Sequence, residues 1–356
     1  MASFSIFLFS LLSALLPTVL AQTWTSCNPL NTTTCPADPA LGSNATFKWN
    51  GTMADSKIWN TTAGQVQWTT KGGEFIINGR GDSPTIQSNF YIFFGVVSVI
   101  MQAATGQGVV SSIVLESNDL DEVDWEFLGG NTTHVETNYF GKGNTTSYDR
   151  AIYYPVSNPQ TTFHNYTVHW TSAAIEWWID NNLVRTLQYA DALGGKNFPQ
   201  TPMNVRLGIW AGGDKANSNG TIEWAGGLVD YHAGPYTMTV QEVYVQDFSS
   251  GKEYSYGDMT GSWESIKITN GTSKAVAEIN SPHGVSGHWN ALSQAVRIAI
   301  VASAAGVAIL SLLTIIFCCV KQRRAGRREY AEIEAQREKE AAEVLEYKQR
   351  IANSRH

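Results

Sequence analysis

Ile298 to Val320 is a run of 23 residues without a charged side chain, closed by Arg297 on one side and by Lys321, Arg323, Arg324, Arg327 and Arg328 on the other. A bilayer core takes about 20 apolar residues in helical form, and the basic flank stays on the cytoplasmic side. The run predicts a transmembrane helix over 298–320, a basic cytoplasmic tail over 321–356, and an outside location for all that precedes it. A second apolar stretch, Phe4 to Leu20, runs into Val19-Leu20-Ala21, a small-residue cleavage pattern. It reads as a leader over 1–21, cut after Ala21. Residues 22–297 remain, 276 in number, enough for one large domain.

The outside portion carries 14 Lys and Arg against 24 Asp and Glu, whereas 321–356 carries 10 against 7. An acidic exterior with a basic end argues against nucleic acid as a partner. Charged residues make up only 15% of the chain, beside 12 Trp, 14 Tyr, 14 Phe and 31 Gly, which points to β-structure outside the tail. From Phe47 to Phe248 short β-branched and aromatic runs alternate with Gly, Asn, Pro and Asp breaks, as expected of a sandwich or barrel. Ile175 to Arg185 reads as a hairpin through Asp180-Asn181-Asn182. After Tyr256 the pattern turns polar, and 264–297 is expected to be a stalk. In the tail, Glu329 to Arg350 should be helical. Its heptad positions Tyr330, Arg337, Val344 and Ile351 favour a solvated single helix over a coiled coil.

The four cysteines sort by compartment. Cys27 and Cys35 lie on the oxidising side, where they can close a short loop, and Cys318 and Cys319 sit at the cytoplasmic edge of the span, open to acylation. Nine Asn-X-Ser/Thr sequons, at Asn31, Asn44, Asn50, Asn60, Asn131, Asn144, Asn165, Asn219 and Asn270, all fall before the span. Their segregation supports the topology and predicts a glycosylated ectodomain.

Six carboxylates and no base lie between Glu116 and Glu126. In Asp121-Glu122-Val123-Asp124-Trp125-Glu126-Phe127, the period of two puts Glu122, Asp124 and Glu126 on one face of a strand and Val123, Trp125 and Phe127 on the other. Like charges two residues apart repel and raise one another's pKa, so stability alone does not favour this arrangement. A solubilising edge strand would mix in Lys and needs no strict alternation. A calcium loop counted from Asp119 would put Val123 at its fifth position and Asp124 where Gly belongs. Glycosidic cleavage fits best. It needs one carboxylate as nucleophile and another as acid/base, about 5–5.5 Å apart for a retaining mechanism. Asp124 between them can share a proton with the nucleophile.

At these residues the chain resembles the family 16 glycoside hydrolases, whose active strand carries Glu-x-Asp-x-Glu on a concanavalin-like β-jelly-roll. It looks most like their fungal Crh branch of cell-wall transglycosylases, which join chitin to β-glucan. The matches run from Cys27 to about Trp263 and include Ala103 to Gly108, Asp119 to Gly130, Thr137 to Gly143, Pro202 to Asp214 and Gly220 to Gly227. Phe127 stands where the branch often has a second Trp, and the spanning helix stands where many relatives carry a lipid anchor. The resemblance implies a catalytic domain over 22–263, with Glu122 as nucleophile, Asp124 as its helper and Glu126 as acid/base. It further implies that Glu126, Arg206, Trp210 and Thr221 contact the chitin donor. Sugar rings stack on aromatic faces, and Arg and Thr donate to their oxygens.

Other motifs carry less. Arg80-Gly81-Asp82 sits in a Gly-rich turn, the histidines lack paired metal spacing, and no Gly-x-Ser-x-Gly elbow occurs. No metal or cofactor is implied. The expected function is a retaining transglycosylase at the plasma membrane, with the catalytic domain facing the cell wall and its polysaccharides as partners. The alternatives are a plain endo-β-glucanase or chitinase of the same fold, and a non-catalytic wall lectin.

Overall fold

A computed structural model describes residues 24–147, 149–282 and 284–353; the expected leader at 1–21 lies outside them. Two antiparallel sheets, of seven and eight strands, form the body, a jelly-roll as expected. The seven-stranded sheet comprises β1 (Trp59–Ala63), β2 (Thr85–Ser88), β3 (Val109–Ser117), β4 (Glu122–Leu128), β5 (His134–Phe140), β6 (Ile152–Pro155) and β7 (Met203–Ala211). Their order across it is β6-β5-β4-β3-β7-β2-β1. The eight-stranded sheet has Gly95–Gln102 between His164–Trp170 and Tyr236–Asp247.

The core lies between the sheets, and β4 is locked by it. Val123, Trp125 and Phe127 are all but fully buried. Tyr166 of the second sheet meets Trp125 at 5.5 Å and Phe127 at 4.6 Å between ring centroids. The Trp177 indole N–H donates to the Asp124 carbonyl at 3.1 Å, tying β4 across the sandwich. Each such aromatic contributes about 2–3 kcal/mol of burial, and slipping by one residue would expose the three apolar side chains and turn the carboxylates into the core. The hairpin expected at 175–185 forms, with a two-residue turn. Asp180 and Asn181 take φ of 48° and 64°, the left-handed pair that Asp and Asn tolerate best after Gly.

The stalk expected over 264–297 is corrected in its first half. Ile266–Thr269 pairs with Glu253–Tyr256, which pairs in turn with Asp38–Pro39 to make a small third sheet. A short helix follows at Lys274–Ile279. Ser273 caps it by accepting from the Val276 N–H and also donates its hydroxyl to the Leu41 carbonyl at 2.8 Å. Ala275 is buried, and Lys57 pairs with Glu278 at 2.8 Å. The compact unit therefore runs to Ser281, not to 263. The sequence looked like linker because each piece is short and polar on its open side.

A second unit, from Pro282 onward, contains a helix at Gly284–Ala291 and one at Gln294–Asn353, 60 residues long. The latter contains the uncharged run and is long and apolar enough to cross a membrane. It continues unbroken to Asn353, and Tyr330, Val344 and Ile351 on it are exposed.

Candidate active site

The face of β4 turned away from the core presents Glu122, Asp124 and Glu126, and the sheet register surrounds them. On β3, Glu116, Val114 and Ser112 stand opposite the three carboxylates in turn, and on β5 the corresponding residues are Phe140, Asn138 and Glu136. Beyond β3, β7 aligns Asn204, Arg206, Gly208 and Trp210 with Glu116, Val114, Ser112 and Val110. Four adjacent strands thus build one rigid polar surface.

Hydrogen-bond donors are scarce on it. Ser112 Oγ donates to Glu126 Oε1 at 3.2 Å, and the buried Asp124 has an oxygen, Oδ1, with no partner among the described residues. Burial is the largest influence on all three groups. It lifts Glu122 to about 7, against the opposing pull of a hydrogen bond to Asp124 and of Arg206 and Arg150. Burial, then the charges of Glu122 and Glu126, push Asp124 well above the carboxylate range, and its bond to Glu122 pushes the same way. The shared proton therefore rests on Asp124, and Glu122 is left as the more readily ionised partner. Glu126 is also held well above its ordinary value, by burial and then by Glu136 and Glu122. One ionisable carboxylate and one that keeps its proton, on the same strand face, are the two parts required by double-displacement chemistry at an acetal carbon.

Trp210 and Thr221 approach this face differently. Trp210 is half-buried and stacks on Trp224, with centroids 5.9 Å apart and planes at 25°. Thr221 lies in a short helix, Asn219–Trp224, where its N–H is capped by Ser218 Oγ, and that helix delivers Trp224 to the site. The Trp224 indole N–H donates to Glu136 Oε2 at 2.8 Å, and Tyr153 hydrogen-bonds the same carboxylate. An aromatic line, Trp210, Trp224 and Tyr153, thereby passes beside Glu126 with Glu136 as its hub. Trp224, Glu136 and Tyr153 were missed as site residues. Glu136-Thr137-Asn138-Tyr139-Phe140 shows no polar/apolar alternation that would single out Glu136, and its pairing with Glu126 depends on register. Arg206 is buried and fully engaged: Nε donates to Asn204 Oδ1 at 2.9 Å, Nη1 pairs with Glu116, and Nη2 donates to the Trp24 carbonyl at 3.1 Å.

Cys27 and Cys35 form the expected disulfide. None of the nine sequon asparagines is buried. Asn165 projects from a strand, its Oδ1 accepting from Ser98 Oγ at 2.5 Å and Thr167 Oγ1 at 3.2 Å.

The fold and this strand define a class. Residues 48–226 match the model for glycosyl hydrolases family 16, and the chain belongs to that family. Its relatives within the family include Crh-like protein 2 of Botryotinia fuckeliana (strain B05.10), 57% identical over 320 residues that cover 88% of this chain and 70% of the relative. A Crh-like protein of Arthroderma benhamiae is 55% identical over 323 residues, covering 90% and 88%. Among solved structures, the Crh5 transglycosylase in complex with NAG is 56% identical, covers 68% of this chain and 99% of its own, and superposes with a TM-score of 0.66. The Bacillus licheniformis β-glucanase, 21% identical with a TM-score of 0.50, shares the fold.

Proposed function

We propose that this chain is a retaining transglycosylase that cleaves chitin and passes the severed chain to a β-glucan or chitin acceptor, cross-linking a cell wall. The observation that carries this reading is the division of labour along β4, and it is supported by the likeness to a Crh5 transglycosylase bound to NAG. In the first step a Glu122 oxygen attacks the anomeric carbon of the donor. The glycosidic C–O bond breaks, and Glu126 gives its proton to the departing oxygen. Asp124 releases Glu122 from the shared hydrogen bond as that carboxylate becomes an ester. In the second step the ionised Glu126 takes a proton from an acceptor hydroxyl, whose oxygen displaces Glu122 and restores the starting state. With water as acceptor the same steps give hydrolysis, so the outcome turns on how well the acceptor excludes water.

Trp210 and Thr221 are assigned to the donor side, and the nine sequons to glycosylation. The catalytic unit is placed outside the plasma membrane, with Lys321 to Arg328 on the cytoplasmic flank. Incubation of the full-length protein with chitin oligosaccharides and a fluorescent oligosaccharide acceptor tests the reading. Labelled products longer than the acceptor are expected, whereas shortened donor alone would leave a plain chitinase.

A further inference from the structure

Trp24 is the first described residue, and it sits on the catalytic face. Its N–H donates to Glu116 Oε1 at 2.8 Å, and its carbonyl accepts from Arg206 Nη2 at 3.1 Å. The Arg206 guanidinium lies 5.7 Å from the centroid of the Trp24 ring, which nonetheless remains 44% exposed. Glu116 is the cross-strand neighbour of Glu122. A buried pair, Arg206 and Glu116, thus grips both backbone groups of one tryptophan beside the carboxylate assigned as nucleophile. The strap that carries Trp24 is pinned further along: Thr25 Oγ1 donates to the Cys27 carbonyl at 3.0 Å, and Cys27 is bridged to Cys35.

This placement changes what Arg206 can do. Its Nε, Nη1 and Nη2 each donate to a protein acceptor, its side chain is 4% exposed, and an indole lies against it. The exposed indole is the surface that a sugar arriving at this position would meet first. The opposite end of the catalytic strand face, beside Glu126, is flanked by Trp210 and Trp224, so Trp24 supplies an aromatic surface where the Glu122 end otherwise has none assigned.

We propose that Trp24 is a sugar-stacking residue for a pyranose chain on the Glu122 side of the site, and that Arg206 is a positioning residue that acts by holding Trp24. The proposal rests on the glycan-processing reading above. An exposed indole offers an apolar ring face to the C–H face of a pyranose, and its fixed backbone means that little ordering is lost on binding. A merely structural latch would change melting temperature without changing donor affinity.

The full-length chain in detergent is assayed with chitin oligosaccharides for KM, kcat and melting temperature. Trp24→Ala should raise KM about tenfold, leave kcat within about twofold and the melting temperature near native, and Trp24→Phe should recover most of the loss. Because Arg206 works through Trp24, Arg206→Lys should raise KM in the parent and add almost nothing in the Trp24→Ala background. Trp24→Leu, which keeps most of the volume without the ring face, reads the same quantity if the alanine variant does not fold. An unchanged KM in a folded variant lacking the ring, or an Arg206→Lys effect equally large in both backgrounds, overturns the proposal. Absence of turnover by the unmutated chain defeats the glycan-processing reading instead, so the two failures are distinguishable.

Discussion

Asp121, fully buried, lies in the same acidic run as Glu122, Asp124 and Glu126, of which only Asp124 is comparably hidden from solvent, yet it is built on the opposite principle. Asp121 accepts from the N–H groups of Lys142, Gln200 and Thr201 at 2.7–3.1 Å. Beside it, Asp119 Oδ1 accepts from the Ser117 and Thr201 hydroxyls, both at 2.5 Å, while its Oδ2 has no partner among the described residues. Together they fasten the β3–β4 turn to segments around 142 and 200. Further along β4 the donors thin out: among the described residues Asp124 Oδ1 has no partner, and Glu126 accepts from one serine. Burial lifts Asp121 to about 7, as it does Glu122, so titration alone does not tell the groups apart. Donors do. A buried carboxylate surrounded by N–H groups anchors structure, and one left short of them is available to a ligand.

The sharpest break in this comparison is expected from neutral isosteres. Glu122→Gln or Glu126→Gln should lower transfer by roughly 10³-fold or more at an unchanged or slightly raised melting temperature, because each keeps the side-chain volume and, at 122, removes a charge that its neighbours repel. Unaltered turnover in either purified variant would defeat the assignment. Asp121→Asn should do the reverse. An amide nitrogen turned toward backbone N–H groups costs about 2–3 kcal/mol, read by denaturant unfolding, while kcat per folded molecule stays within a few-fold. That change should also flatten the pH profile of stability. Asp121 is raised in the folded state, so it favours folding fully below about pH 4, and that advantage is lost as pH climbs towards about 7.

Trp210→Ala should weaken binding of chitin oligomers by about 1–3 kcal/mol with a near-native melting temperature, since the ring is half-buried against Trp224 and not in the core. A collapsed melting temperature would return it to a packing role. The smallest expected effect is a displacement in pH. Glu136 helps to keep Glu126 protonated, so Glu136→Gln, which retains an acceptor for Trp224, should lower the pKa of Glu126. The alkaline limb of the activity profile then moves to lower pH, with the maximum rate little changed, and a limb that stays put would remove Glu136 from the acid's environment.

Much of this was legible because it is local. The alternation over 122–127 fixes a strand and its two faces, Asp180-Asn181 fixes a turn, and the uncharged run fixes a long apolar helix. What escaped depends on partners far along the chain. Trp224 reaches a carboxylate 88 residues away, and Arg206 holds a carbonyl 182 residues away. No periodicity encodes such pairings, which follow from strand order and register. The segment 264–281 escaped for a related reason: its strand and helix are stable only against Glu253–Tyr256 and Leu41 and carry little signal of their own.

The unbroken helix from Gln294 to Asn353 also acts as a ruler. At 1.5 Å per residue, the part beyond Val320 reaches roughly 50 Å, several times the ~8 Å over which salt screens a charge. On the proposed topology, the arginines at 323–328 and the Glu346–Arg350 pair near the far end therefore belong to separate electrostatic neighbourhoods, one at the lipid headgroups and one in bulk solution. With the uncharged run in a bilayer, whatever meets the distal end would do so at a set distance from it, indifferent to the composition of its headgroups.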